Sequence, residues 1–457
     1  LANKQVALPA PAEDRRPRPG TAPLRGPVTV IGAGPAGLAA AWQLAAAGYR
    51  PLVLERGAGI EGRVPGVAAL DRRGELDPES NYCFGLGGAG CFSDGKLHTR
   101  RGDPRGREFL ELLAACGAPR EILVEGRPHV GSDRLPAAIV RFEKKIVASG
   151  GQLRTGARVE RLEVSAGRVE ALRLSGGERM EVGACLLSPG ASARDLFAAL
   201  LEAGVELEPR PLQMGLRLEC PQEELDALLY GKWAGHERLG AAEFFLKSPA
   251  GDGCAAAHTF CMCPGGEVVP VATEPGMLST NGASRRARSS GFANAAVVTA
   301  VPAGDSPLAG VELQREVERR VFELGGGDYS FPCSGVRDFL ELRAGGELPP
   351  GPGGVRRRSA DLSGVLPADA ERAVRRALER FARQMPPLGG EGATLYAAET
   401  RVGCPLRILR GEDGRASGLG NLFPAGEGSG YAAGITSSAI DGMRAAENLI
   451  AAFARPR

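Results

Sequence analysis

The sequence predicts an α/β protein in which one parallel-sheet domain is split along the chain and a strand-rich α+β cap domain is interposed. Three observations carry this prediction. A βαβ unit opens at Val28: "VTVI", a glycine turn, an alanine-rich helix, then "RPLVLER". A second strand–glycine turn–helix, "NLFPAGEGSGYAAGITSSAIDGMRAAENLI", lies near the other end of the chain. The stretch between them, at 206–300, is strand-rich and broken by Gly and Pro. The boundaries that follow are a tail at 1–26, the split domain at 27–205 and 390–457, and the cap at 206–389.

Each element has a local reason. Residues 1–26 are rich in Pro, Arg and Ala with no hydrophobic period, so a disordered tail is expected. "VTVI" is a β-branched run of the kind a parallel sheet buries. The helix after it stops at Gly48. Residues 105–150 are mainly helical in pattern. "GQLRTGARVERLEV", "GRVEALRL" and "ERMEVGACLLSPG" alternate with period two, which predicts an antiparallel meander. Helices return at "VELQREVERRVFEL" and "ADAERAVRRALERFARQM". In the latter, Val374, Leu378 and Phe381 fall at i, i+4 and i+7 on one apolar face. Ile440, Met443, Leu449 and Ile450 form the stripe of the closing helix.

The 56 basic residues nearly balance 54 acidic ones, for a net charge of +2. That leaves no field to draw nucleic acid or an anionic membrane surface. No signal-peptide h-region and no apolar run of membrane-spanning length is present. A soluble, cytoplasmic protein acting on a small molecule is expected, with its oligomeric state unread. The ten cysteines are scattered singly apart from Cys261-x-Cys263, and none forms C-x-x-C, so no metal site is expected. Scattered thiols in such a chain pack as small apolar groups.

The chemistry starts at Gly32-x-Gly34-x-x-Gly37. Gly32 permits the tight turn, Gly34 lets backbone approach a pyrophosphate, and Gly37 lets helix and strand pack closely. The helix N-terminus offers open N–H groups and roughly half a positive charge to phosphates. Glu55, 23 residues after Gly32, stands at the end of the second strand, where a carboxylate accepts from an adenosine ribose. An NAD enzyme has no use for the second glycine turn near the C-terminus; the longer dinucleotide FAD does. There Gly426 and Glu427 are expected at the ribityl–pyrophosphate region. The helix from Ile435 is expected to point at the flavin pyrimidine, where reduction collects negative charge.

"GAGPAGLAAA", "LERG", "SPGASARD" and "LFPAGEGSGYAAGI" are arranged as in flavoproteins of the glutathione-reductase type, which this sequence resembles. More narrowly, it resembles the bacterial family of uncharacterised FAD-dependent dehydrogenases, from about Val28 to Asn448. The blocks that carry this are "NYCFGLGGAGCFSDGKLHTR", "HVGSD", "FCMCPGGEVVP", "NGASRRAR" and "ETRVGCPLRI". The resemblance implies FAD as cofactor and a Rossmann-like cofactor domain. It also implies cofactor contacts from Pro35, Ala36, Arg56, Arg63, Val159, Gly190 and Gly434. Leu86 stands where that family has Glu, and Val402-Gly403-Cys404 replaces a Thr-Ser-Ser-like run.

"FGLGGAGCFSDGK", at 84–96, repeats the glycine spacing, but a polar stretch precedes it and a turn follows. It therefore predicts a glycine-lined backbone lying close to a flat ligand. By resemblance this is the isoalloxazine ring, with Gly88, Gly90 and Ser93 beside it and Asp94 and Lys96 reaching flavin or substrate. His98, His129 and Tyr431 are candidate acid/base or contact residues, and Glu399 and Arg401 are expected to face the ring. Arg285 or Arg288 suits an anionic substrate group. Cys261 and Cys263 point to one face of a strand, as packing groups or as a thiol pair. The expected activity is a dehydrogenase or reductase moving a hydride between a small-molecule substrate and flavin N5. A monooxygenase or oxidase, or a non-catalytic or RNA-modification partner protein holding FAD, are the alternatives.

Overall fold

Val28–Ile31 is buried along its whole length, as a strand covered on both faces must be. In the computed structural model, which describes residues 17–99, 102–343 and 346–456, it is the centre of a five-stranded parallel sheet. The order is Leu422–Pro424, Ala184–Leu187, Val28–Ile31, Leu52–Leu54, Gln152–Arg154. The strand from near the C-terminus thus completes the sheet opened near the N-terminus. Helices Pro35–Ala46, Leu135–Ala148 and Ile435–Ala452 share one core on one face. On the other face lie Arg194–Glu202 and a three-stranded antiparallel layer of Val159–Ser165, Arg168–Leu174 and Arg179–Glu181.

The cap is built on a seven-stranded sheet in the order Lys247–Ser248, Ala257–Cys263, Phe292–Val301, Leu212–Pro221, Thr394–Val402, Phe331–Gly335, Arg357–Ser359. Its pairs are antiparallel except the last. Helices Ala309–Leu324 and Ala368–Gln384 pack on it. Val374, Leu378 and Phe381 are buried in its core, as their spacing predicts. Among the described residues no helix is long and apolar enough to cross a membrane.

Three expectations differ. Only the three strands between Val159 and Glu181 form the meander; Gln152–Arg154 and Ala184–Leu187 join the parallel sheet. Ala184–Leu187 is buried at every position, so it carries no alternation for a meander to use. Residues 1–16 of the expected tail lie outside the described residues. Residues 17–26 do not behave as a tail: Gly20 N–H donates to the Ile450 carbonyl at 2.8 Å, and Ala454 N–H to the Ala22 carbonyl at 2.8 Å. Thr394–Val402 is a central strand of the cap sheet, so the cap reaches past the expected boundary at 389. An apolar run buried on both faces does not say which sheet accepts it.

Candidate functional site

The three fingerprint glycines divide the work as their spacing predicts. Gly32 has φ +96°, and a Cβ there would stand 2.2 Å from the Ser188 carbonyl oxygen. A Cβ on Gly37 would stand 1.9 Å from the Gly32 carbonyl oxygen. Both are packing sites. Gly34 faces open space, its nearest neighbour being the Gly88 Cα at 3.9 Å. It is the N-cap of Pro35–Ala46 and supplies no side chain to that helix end, so the first-turn amides face outward. Ser188, which sequence reasoning passed over, ties the turn down: its hydroxyl donates to the carbonyls of Ile31 at 2.9 Å and Gly32 at 3.2 Å.

The second glycine run lies on the first. Gly87 N–H donates to the Ala33 carbonyl at 2.9 Å. Gly88 has φ +62°, and a Cβ there would sit 2.9 Å from the Gly34 Cα. A Cβ on Gly90 would meet Ile435 at 2.8 Å. The Gly426–Gly430 turn closes the ring of glycines: a Cβ on Gly426 would meet Ala36 at 2.8 Å, and one on Gly428 the Gly190 carbonyl at 2.3 Å. Four glycine segments, far apart in sequence, thus line one cradle between two helix N-termini at Gly34 and Gly434.

Arg63 is corrected. It is fully buried and donates to five backbone carbonyls, those of Asn81, Tyr82, Gly85, Leu86 and Gly88, so it shapes the glycine run and has no donor left for a cofactor. Arg56 is also committed elsewhere: to Glu79 at 3.1 Å, to Asp195 at 2.9 Å, and across the Phe84 ring at 4.0 Å. Glu55 accepts from the N–H groups of Ala33, Gly57 and Gly85 at 2.8, 3.0 and 2.8 Å. A carboxylate offers about four acceptor positions, so one remains for a ribose hydroxyl. Val159 is buried at the start of its strand, two residues after Ala157, whose N–H donates to the Glu55 carbonyl at 2.8 Å. Ser93 serves its own loop, donating to the Gly90 carbonyl at 2.8 Å and accepting from Gly95 N–H at 3.1 Å.

At the other helix end, burial pushes the Glu427 carboxyl up to about 7, partly offset by the backbone N–H of Gly434. Asp441 holds the turn by accepting from Gly426 N–H at 2.8 Å, and Arg410 pairs with Asp441 at 2.7 Å. The Arg410 guanidinium in turn lies 3.7 Å over the ring of Tyr431, so this aromatic is fixed by cations from outside its own loop. Because the folded-state value of Glu427 lies above the usual carboxylate value, the folded protein holds the extra proton between about pH 4.3 and pH 7. FAD-free protein should therefore lose stability as pH rises through that window. Tm measured against pH should show a shallower fall for Glu427→Gln; an unchanged slope would refute the assignment.

Asp94 and Lys96 face the cap. Asp94 is buried, accepts from the Ser284 hydroxyl, and stands 3.4 Å from Lys96 Nζ and 3.5 Å from Arg288. Lys96 Nζ donates to the Met262 carbonyl and lies 4.0 Å from Cys261 Sγ and 3.6 Å from Cys263 Sγ. His129 is buried against Arg286, whose guanidinium lies 3.2 Å from Nδ1; burial first, then Arg288, holds its pKa down. His98 is exposed, one residue after Leu97, whose carbonyl accepts from Thr436 in the first turn of the C-terminal helix at 2.8 Å. Arg285 is exposed, whereas Arg288 is committed to Asp94 and, at 2.8 Å, to Glu243. Glu399 is bound bidentately by Arg217 at 2.9 and 3.0 Å, deep in the cap sheet. Arg217 went unread, though an arginine between Leu216 and Leu218 in a strand buried on both faces was its signal.

These residues fit a dinucleotide. An added Cβ at Gly34, Gly190 or Gly434 would enter space that the described residues leave clear, two helix ends converge without N-cap side chains, and Glu55 keeps one acceptor position. Gly32, Gly34, Pro35, Ala36, Gly37 and Glu55 would hold its adenosine and pyrophosphate end. Gly88, Gly90, Gly190, Gly426, Glu427, Gly434 and Ile435 would hold the remainder.

Comparison with known proteins agrees. Residues 30–86 match the NAD(P)-binding Rossmann-like domain, and residues 211–402 match the family described as FAD-dependent protein, C-terminal domain-like. An uncharacterized protein of Clostridium beijerinckii is 36% identical over 446 residues, spanning 96% of this chain and 83% of that protein. Among solved structures, the glycerol-3-phosphate dehydrogenase of Bacillus halodurans complexed with FAD covers 92% of this chain and 62% of its own at 11% identity, with a TM-score of 0.39. Glycine oxidase of Bacillus cereus covers 93% and 95% at 10% identity, also with a TM-score of 0.39. With a Rossmann-like nucleotide domain, a matched C-terminal domain of the FAD-dependent protein family, and a relative at this identity over nearly the whole chain, the chain belongs to the family of FAD-dependent proteins that includes the C. beijerinckii protein, and its cofactor is FAD.

Proposed function

We propose that the protein is a dehydrogenase or reductase that exchanges a hydride between a small-molecule substrate and FAD. The observation that carries this reading is the seating of the Gly85–Gly90 run on Gly34, which brings the cap-facing loop against the cofactor turn. When bound, FAD supplies hydride acceptance and donation at its ring. The protein's part is to bind, orient and exclude water. Substrate lies between the cap sheet and the Gly85–Lys96 loop, as interfaces between domains commonly provide. Arg285, exposed at the rim, gives an anionic group on that substrate a bidentate partner. Asp94, Lys96 and Arg288 fix the loop to the cap, so substrate contacts on both sides keep one geometry.

The test is anaerobic screening of small-molecule alcohols, amines and carboxylates by bleaching of the flavin absorbance. Bleaching by a substrate without nicotinamide supports the dehydrogenase. Fast bleaching by NADPH alone, followed under air by a hydroxylated product, would replace it with a monooxygenase. No bleaching by any donor would leave the non-catalytic FAD-holding role.

A further inference from the structure

Cys261 and Cys263 are the chain's most closely spaced cysteines, and the fold does not leave them as packing groups. Ala257–Cys263 loses register with its neighbour between Phe260 and Cys263, and Cys261 sits at φ +47°. An extended i, i+2 pair spans about 6.6 Å between Cα atoms, near the upper limit for a disulfide. A left-handed residue in the bulge shortens that span. Cys263 Sγ folds back to within 3.3 Å of the Cys261 carbonyl oxygen. Lys96 reaches both sulfurs from the opposite domain.

The charges around the pair do not cancel. Arg217 is matched by Glu399. Asp94 faces two cations, Lys96 and Arg288, and Glu243, on the far side of Arg288, is shared with Arg127. The excess cation of this network is Arg127, exposed at its outer end, so the cation set beside the sulfurs is Lys96 itself. Asn294 is fully buried, its Nδ2 has no hydrogen-bond partner among the described residues, and its Oδ1 lies with Cys263 Sγ around Gly282. Cys261 is half-buried and Cys263 buried, with the Lys96 side chain 34% exposed, so the cluster opens to solvent on the Cys261 side.

We propose that Cys261 is a thiolate nucleophile, with Lys96 as its counter-cation and Cys263 as the resolving thiol, and that the pair exchanges with disulfide substrates. The thiolate attacks one sulfur of R–S–S–R; that bond breaks, one RS⁻ leaves, and a mixed disulfide forms on Cys261. The Cys263 thiol gives up its proton to the departing thiolate and attacks Cys261 Sγ, expelling the second RS⁻. The dithiol is oxidised to a disulfide, and the substrate disulfide is reduced by two electrons. An external dithiol restores the pair. The proton equilibria favour the same roles. Donation from the Cys263 thiol, helped by Lys96 and Arg217 and opposed by burial and Asp94, holds the Cys261 thiol well below its usual range, while Cys263 is pushed up. This site stands apart from the hydride reading and does not require it.

The test uses the full chain loaded with FAD. Iodoacetamide labelling across pH, mapped by mass spectrometry, should give Cys261 a midpoint at least about one unit below the ordinary thiol value of about 8.5. Lys96→Met should raise that midpoint by about one unit or more, and Lys96→Arg should restore it. Dithiodipyridine should leave wild type with an internal Cys261–Cys263 disulfide, and Cys263→Ser stopped at a mixed disulfide on Cys261. A wild-type midpoint at or above about 8.5 overturns the proposal, as does Cys263→Ser with Cys261 unmodified. If Lys96→Met loses its flavin absorbance, the wild-type and Cys263→Ser arms still decide.

Discussion

Gly34→Val should give a folded, colourless protein. Gly34 has an ordinary φ of −76°, and its nearest neighbour to an added Cβ is 3.9 Å away, so the protein itself has room for the side chain. The space it enters is the one backbone leaves for a pyrophosphate. FAD affinity should fall at least about 100-fold, or about 3 kcal/mol, while the Tm of the FAD-free protein stays near wild type. The contrast is Gly37→Val, whose side chain would collide with the Gly32 carbonyl oxygen inside the turn and should lower Tm as well. Absorbance of the purified variants and titration with FAD check both. A yellow Gly34→Val protein would show that the cradle takes its ligand elsewhere.

Glu318→Gln should be the most damaging single change away from the cofactor. Glu318 is fully buried between two arginines. Arg194 donates from the nucleotide domain at 2.7 and 2.9 Å, and Arg401 from the cap sheet at 2.9 and 2.7 Å. Thr400 adds a hydroxyl donor at 2.7 Å. Burial alone would push the Glu318 carboxyl up, but Arg194 and Arg401 together hold it well below the usual carboxylate range. The amide keeps the shape but removes the carboxylate that both buried cations share, leaving Glu274, 3.4 Å from Arg194, as the remaining acid, a loss of about 3 kcal/mol. Tm should drop by roughly 5–10 °C. The folded-state value lies below the unfolded one. The contribution is therefore fully present above about pH 4.3 and is lost as pH falls below it. The gap between wild type and variant should narrow under acid. A variant with wild-type Tm at pH 7 would show that the two domains do not depend on this ion cluster.

The sequence by itself determined what is local. The strand–turn–helix at Val28–Ala46, its three glycines and the acid at Glu55 are legible because a tight turn, a close backbone approach and a period of 3.6 each demand particular residues at particular spacings. The glycine turn before Ile435 is legible for the same reason. Pairing decided the rest. Thr394–Val402 reads as any doubly buried strand, and only its hydrogen bonds to Leu212–Pro221 and Phe331–Gly335 assign it to the cap. Arg63 and Arg56 stand in motif positions that suggest a ligand, yet backbone carbonyls and carboxylates brought in by the fold take their donors. Lys96 follows a glycine run in sequence, but the sulfurs it meets are contributed by a strand about 165 residues further on. A charge's partner is set by three-dimensional proximity, which no spacing along the chain encodes. The cradle was therefore written in the sequence, and the ionic and thiol clusters beside it exist only once the two domains have closed on each other.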